Sequence, residues 1–341
     1  MKFDFCIGNP PYQEDNEDSV RKNPVYNHFM DAAYEIADVV ELITPGRFLF
    51  DAGQTPKAWN KKMLNDEHFK VLHYEKDASQ VFANTDIKGG VVISVRDTRR
   101  DFGKISVFTP YDELNSILHK VKNKSDSYMD IIVSQRGMYR LTDVFFQDFP
   151  YASDRVGEGT GNMIVSNIFE KIPEAFVEKK PKDNEEFFKI LGRANNSRVF
   201  RFIKKKYVIN NEYIPCYKVF FPEANANGHF GETLTMPVIG APGEGATDTF
   251  INIGILESEK DAQAVINYIK TKFLRALLGV KKATQHTPRS VWDTIPLQDF
   301  TPNSDIDWSK SVAEIDQQLY KKYDLSDEEI DFIETHVKEM V

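Results

Sequence analysis

The first hundred residues switch repeatedly between two hydrophobic periods, and this alternation constrains the fold more than any other feature of the chain. "FDFCIG" at residues 3–8 is a short apolar run that predicts a buried strand. "NHFMDAAYEIA" at 27–37 then spaces its apolar residues along one helical face, and "VVELITP" at 39–45 is a second β-branched run. Strand, helix and strand in that order imply a β-α-β unit with parallel strands. "TPKAWNKKMLNDEH" predicts another helix, "FKVLHYE" and "GVVISVRD" two further strands, and "KISVFT" an edge strand. Together they make half of a doubly wound sheet. Its strand "FDFCI" is left unpaired on one side, an aggregation hazard unless another chain or a rearrangement covers it.

After "YDELNSILHKVK" at 111–122, an amphipathic helix, the texture changes. From about residue 130, short aromatic-rich strands ("KYVI", "YKVFF", "TFINIG") alternate with Gly- and Asn-rich loops, which suggests a mixed α/β domain. "SEKDAQAVINYIKTKFLRALLG" predicts one long helix with Ser258 as N-cap and Gly279 as terminator. "SDEEIDFIETHVKEM" opens with Ser326 and Glu329 in the spacing of a capping box and forms a helical tail. The expected boundaries are 1–110, 111–300 and 301–341. No internal repeat is evident.

Composition narrows the function classes. The 341 residues carry a net charge of -9, so nucleic-acid binding must rest on local basic patches rather than on the overall field. Two cysteines, Cys6 and Cys216, make no disulfide framework, and no Cys/His cluster has zinc spacing, so no metal site is expected. No apolar run has membrane-spanning length and no signal-peptide pattern opens the chain, which leads to the expectation of a cytoplasmic protein without membrane association.

The most informative stretch follows the first strand directly: Asn9, Pro10, Pro11, Tyr12. A loop at the carboxyl end of a parallel strand is where doubly wound folds bind ligands. Proline fixes φ and removes a donor, so the Pro10 carbonyl and the Asn9 side-chain oxygen can face one point as two acceptors. Such a pair suits an exocyclic amine, whose delocalised lone pair makes it a poor nucleophile. Two fixed acceptors favour a pyramidal nitrogen and stabilise the charge that develops as it attacks. Tyr12 offers a face on which a base can stack. On residue chemistry alone, adenine and cytosine amines are both served.

"NPPY" preceded by apolar residues resembles the catalytic motif of the DNA amino-methyltransferases that transfer a methyl group from S-adenosylmethionine to adenine. "VELITPGRFLF" resembles the fifth strand of these enzymes, and "VFANTDIKGGVVISVRD" resembles the later hairpin. The ending, from "YIKTKFLRALLGVKKATQHTPRSVWDTIPLQDF" to "LYKKYDLSDEEIDFIETHVKEM", looks like the close of the target-recognition region in adenine methylases of restriction-modification systems, notably the combined restriction-and-methylation type. The resemblance implies a partial Rossmann-like catalytic domain at 1–110, a target-recognition domain at 111–300 and a helical tail. It implies that a flipped adenine is gripped by Asn9 and Pro10, with Pro11 stiffening the loop and Tyr12 and Phe82 closing on the base. Phe82 is equally placed to be a core aromatic. Gly89 and Gly90 let the hairpin backbone bend.

In the family arrangement a cofactor-binding half with a Gly-rich loop precedes this motif, and that loop is not found here. The glycines of "RVGEGTGNMIVSNIF", Gly157, Gly159 and Gly161, follow a poor strand, and "GAPGEGATD" around Gly243 and Gly245 fails in the same way. The resulting expectation is the catalytic-loop and target-recognition portion of the enzyme, with a partner polypeptide supplying the cofactor half and double-stranded DNA as substrate. A non-catalytic DNA-binding specificity subunit and an inactive truncated remnant are the alternatives. No acidic-pair-plus-lysine nuclease motif is evident.

Two basic groups are candidates for phosphate contact. "RANNSRVFRFIKKKYV" gathers Arg193, Arg198, Arg201, Lys204, Lys205 and Lys206 among aromatics and without an acid. Lys281, Lys282 and Arg289, with Gln285 as a possible reader of a base edge, fall after the long helix. A solvated basic face is the alternative for each.

Overall fold

The computed structural model describes residues 2–14, 23–50, 53–82, 87, 89–156, 159–195, 197–282 and 284–340. It divides into two units, Met1–Asn115 and Ser116–Val341. In the first, β1 (Phe3–Gly8) pairs in parallel with β2 (Ala37–Pro45), and α1 (Tyr26–Ile36) makes the crossover. α2 (Lys57–Leu64) precedes a hairpin of β3 (Phe69–Glu75) and β4 (Val91–Asp97), and the sheet order is β1-β2-β4-β3. β4 runs antiparallel to both of its neighbours, so the sheet is mixed.

One face of this sheet is covered. Met30 and Ala33 of α1, Trp59 and Met63 of α2, Val40 and Leu42 of β2, Val92 of β4 and Phe69 of β3 form a single apolar cluster. β1 was expected to be buried, and it is not. It lies at the margin with β2 as its one neighbour among the described residues, and its alternate side chains Phe3, Phe5 and Ile7 are 54, 64 and 75% exposed. The expected edge strand "KISVFT" does not form either. Ser106 adopts φ +62, and its N–H is taken by the Leu64 carbonyl at 2.8 Å, which breaks the extended run while Phe108 still reaches the core.

α3 (Asp112–Lys124) contains the boundary between the units. The second unit begins its regular structure with three short helices, α4 (Asp143–Asp148), α5 (Ala152–Val156) and α6 (Ile168–Lys171). A tight hairpin of β5 (Phe187–Ala194) and β6 (Ser197–Lys204) follows, then β7 (Tyr217–Pro222), β8 (Val238–Gly240), β9 (Glu244–Ala246) and β10 (Phe250–Leu256). Two three-stranded sheets result, β6-β5-β9 with β9 parallel to β5, and antiparallel β10-β7-β8. Phe145, Ile164, Ile168, Ile190, Ile203 and Phe220 centre their shared core. The expected strand "KYVI" is instead a 3-10 turn over Lys205–Tyr207, with Tyr207 buried.

The long helix expected from Ser258 to Gly279 is two helices, α7 (Glu259–Lys270) and α8 (Lys272–Lys281). Ser258 caps the first with a full capping box to Asp261. Thr271 then takes an extended conformation and caps the second, its Oγ1 accepting the Leu274 N–H, a switch that apolar periodicity does not reveal. Gly279 lies inside α8, where a Cβ would fall 2.7 Å from the Phe230 ring, so close packing and not termination explains it. α9 (Val312–Lys322) and α10 (Asp327–His336) both begin with capping boxes, the latter from Ser326 and Glu329. Asp316 of α9 accepts the N–H groups of Lys272 and Phe273 and satisfies the start of α8.

Candidate functional site

Because β1 and β2 are parallel and in register through Gly8 and Leu42, the chain leaves both at the same end of the sheet. The loop Asn9–Tyr12 emerges there. Asn9 and Pro11 are exposed, and Pro10 and Tyr12 are half-buried. The loop's exit is tied down by the Val25 N–H donating to the Tyr12 carbonyl at 3.2 Å and the Glu14 N–H to the Asn23 carbonyl at 3.0 Å. The Tyr12 ring packs onto the apolar cluster of the sheet, as does Cys6 of β1. Its buried hydroxyl has no hydrogen-bond partner among the described residues, and burial pushes its pKa up to about 12, so the phenol stays protonated.

Phe82 arrives from the other side of the fold. Asp77 caps a short turn over Ala78–Gln80 by accepting the Ser79 N–H at 3.1 Å and the Ser79 hydroxyl at 2.7 Å, and the Phe82 N–H donates to the Ala78 carbonyl. The Ser79 hydroxyl, then Gln80 and the Ser79 N–H, hold the Asp77 carboxyl below its ordinary range. The Phe82 ring then meets Tyr12 edge-to-face, with centroids 6.5 Å apart. Gly89 and Gly90 close the same hairpin at φ +87 and +71. A Cβ on Gly90 would come 2.4 Å from the Glu75 carbonyl, so the bend requires glycine.

The basic candidates divide. On β6, Arg198 and Lys204 share one side of the strand and Arg201 the other, and Lys205 and Lys206 lie in the following turn. Acids from elsewhere in the chain meet four of them: Glu178 binds Arg201 at 2.7 Å, Glu185 binds Lys204 at 3.2 Å, Glu186 binds Lys205 at 2.9 Å and Asp148 binds Lys206 at 2.9 Å. The patch is therefore free of acids only in sequence. Lys282, expected to meet DNA, is buried and bound to Glu232 at 2.7 Å. Lys281 is paired with Asp293, Arg289 donates to the Asp130 carbonyl, and Gln285 is exposed with its carbonyl holding the Asn225 N–H.

Arg193 and Arg198 face one another across the β5–β6 hairpin and line a cleft of about 600 Å³ together with Arg136, Glu223, Asp248 and His286. Arg136 and Asp248 are the residues that sequence reasoning missed. They are 112 positions apart, each in an irregular segment with no motif, and only the fold joins them.

The glycines considered as a cofactor cradle lack the required setting. Gly159 and Gly161 follow the helix α5 and not a strand, and Gly157 lies outside the described residues. Gly245 sits within β9, where a Cβ would come 2.7 Å from the Tyr139 ring, a packing role. Among the described residues no group of three or more His, Cys, Asp or Glu is placed to hold a metal ion, and no helix is long and apolar enough to cross a membrane.

Known proteins resemble the chain chiefly at its start. Residues 1–82 match the family model of the Eco57I restriction-modification methylases. An uncharacterized adenine-specific methylase of Mycoplasma pneumoniae is 28% identical over 95 residues, which are 27% of this chain and 22% of that protein, so the match spans about a fifth of the relative's length. The type IIG restriction endonuclease BpuSI aligns over 93% of this chain and 50% of its own, at 9% identity and a TM-score of 0.31, too slight a likeness to compare the folds element by element.

Proposed function

We propose that the chain is the catalytic-loop and target-recognition portion of a site-specific DNA adenine-N6 methyltransferase of a restriction-modification system. The single observation that carries this is the meeting of Tyr12, at the tip of the Asn9–Tyr12 loop, with Phe82, inside the segment that matches the methylase family. Adenine as the target is supported by the likeness to an adenine-specific methylase.

In this mechanism the flipped base enters between Tyr12 and Phe82, and Asn9 Oδ1 and the Pro10 carbonyl accept the two hydrogens of its amine. Two acceptors held at that point favour the pyramidal, partly cationic nitrogen of the transition state over the planar amine. The Tyr12 hydroxyl is uncharged and contributes no base. S-adenosylmethionine is the methyl donor this reaction class uses, yet no glycine cradle among the described residues fits it. We propose that a cofactor-binding half outside these residues, carried by a partner polypeptide, holds it. The open margin of β1 and the exposed Phe3, Phe5 and Ile7 support such a partner, because a strand added there would extend the sheet and an element packed on that face would cover the apolar row.

Co-expression with a cofactor-binding half tests the proposal. Reconstituted methyl transfer should fall on the order of a hundred- to a thousandfold with Asn9→Ala, the usual loss for one preorganised acceptor or donor. Undiminished methylation by that variant would reduce the motif to a turn.

A further inference from the structure

The cleft of the second unit holds an arginine fixed in one orientation and still open to solvent. Arg136 donates from Nε to the Asp248 carbonyl at 2.9 Å and from Nη2 to Asp248 Oδ2 at 2.7 Å. Its side chain is nevertheless 57% exposed, whereas that of Asp248 is 9% exposed. A guanidinium carries five donors in one plane, so these two bonds lock the plane and leave Nη1 and the second Nη2 hydrogen to project as a fork. Asp248 is itself held, its N–H donating to the Ile164 carbonyl at 2.9 Å, and its buried Oδ1 has no partner among the described residues.

Three arginines, Arg136, Arg193 and Arg198, line the cleft. Arg193 and Arg198 lie directly opposite one another in the hairpin register, and like charges directly opposite repel. Arg198 lies over the Phe250 ring and donates to the Met236 carbonyl at 2.7 Å; among the described residues no carboxylate pairs with it. Partial burial lowers its pKa, and a bound anion would offset that burial. Of the three acids that line the cleft, Asp248 is engaged with Arg136 and Glu223 with His286 at 2.9 Å, and Glu170 is the third.

We infer that Arg136 is a specificity-determining residue that reads one guanine of duplex DNA, its free fork donating to O6 and N7 while Arg193 and Arg198 hold neighbouring phosphates. Asp248 acts as the positioning residue. Guanine is the base whose major-groove edge presents two adjacent acceptors to such a fork. This inference rests on the DNA-directed reading proposed above.

Selection of bound duplexes from a randomised library, using the full chain, tests it. The wild type should enrich a motif containing a guanine. Arg136→Gln should lose preference at that position by roughly ten- to a hundredfold and keep the other positions, and Asp248→Ala should do the same by freeing the arginine. Replacing that guanine with 7-deazaguanine, which lacks the N7 acceptor, should weaken wild-type binding about tenfold and leave Arg136→Gln indifferent; this arm does not depend on the folding of any variant. A motif unchanged in Arg136→Gln, or a wild type indifferent to 7-deazaguanine at every guanine, overturns the assignment while leaving DNA binding intact. A wild type that binds no duplex overturns it together with the reading on which it rests.

Discussion

The ring of Tyr12 meets the ring of Phe82 edge-to-face at 6.5 Å, so the two aromatics proposed to hold a flipped base fill each other's space in the free protein. A base can stack on Tyr12 only after the pair has parted, and the buried hydroxyl, without a partner among the described residues, makes the closed arrangement less costly to open than a fully satisfied one. Tyr12→Phe removes that unsatisfied group and keeps the ring. Its melting temperature should equal or exceed the wild type's, and methyl transfer by the reconstituted enzyme should persist. Tyr12→Ala should lose retention of the extruded base, about 1–3 kcal/mol of stacking, measured with a duplex carrying a fluorescent adenine analogue. Equal retention by Tyr12→Ala and Tyr12→Phe would remove the stacking role.

Lys282 and Glu232 form a buried ion pair, and Glu232 also accepts the N–H groups of Asn227 and Gly228. Removing one partner strands a buried charge, so Lys282→Ala should destabilise the fold by about 3–5 kcal/mol in chemical denaturation. The salt dependence of DNA binding should stay as it was. A flattened salt slope in a stably folded Lys282→Ala protein would show that this lysine does reach phosphate.

The remaining basic residues separate by what already engages them. Arg193 and Arg198 line the cleft, and among the described residues no carboxylate pairs with Arg198, whereas Lys204, Lys205 and Lys206 are each matched by a carboxylate. Replacing both arginines with Ala should weaken duplex binding across all sequences and reduce the slope of log K against log salt by about 1 per lost phosphate contact. The triple lysine variant should change the slope less, because phosphate must compete there with an existing partner. Fluorescence anisotropy over a salt series decides between them. A larger slope change for the lysines would place the DNA on the far end of the hairpin.

How legible each feature was in the sequence follows from the range of the forces that make it. β1, α1 and β2 are encoded by local periodicity, and the capping boxes at Ser258 and Ser326 by spacings of three residues, so they appear where expected. The exposure of Phe3, Phe5 and Ile7 depends on what lies beside β1, which an apolar run cannot report. Thr271 divides a helix with an unbroken apolar pattern because its hydroxyl competes locally for the backbone. The acids that meet Arg201, Lys204, Lys205 and Lys206 come from positions 19 to 58 residues away, so the basic run looked uncompensated. Arg136 and Asp248 were invisible for the same reason on a longer scale.

Lys218 supplies a test that reports on the second unit's core alone. It is fully buried in β7, and its ammonium donates to the carbonyls of Cys216 at 3.0 Å and Ala241 at 2.7 Å. Burial pushes its pKa down from 10.5 to about 8. Between those two values the unfolded chain binds more protons than the folded one, so stability should rise with pH from about 8 to about 10.5. The cost of holding the charge inside is fully present below about 8. The full rise attributable to this group is about 3 kcal/mol, an upper figure because relaxation around the amine would reduce it. Lys218→Met keeps the volume and removes the titration, so denaturant midpoints measured from pH 7 to 10 should lose this upward trend. A wild type and a Lys218→Met protein with parallel pH profiles would mean that the amine keeps an ordinary pKa and that its two carbonyl partners compensate fully for its burial.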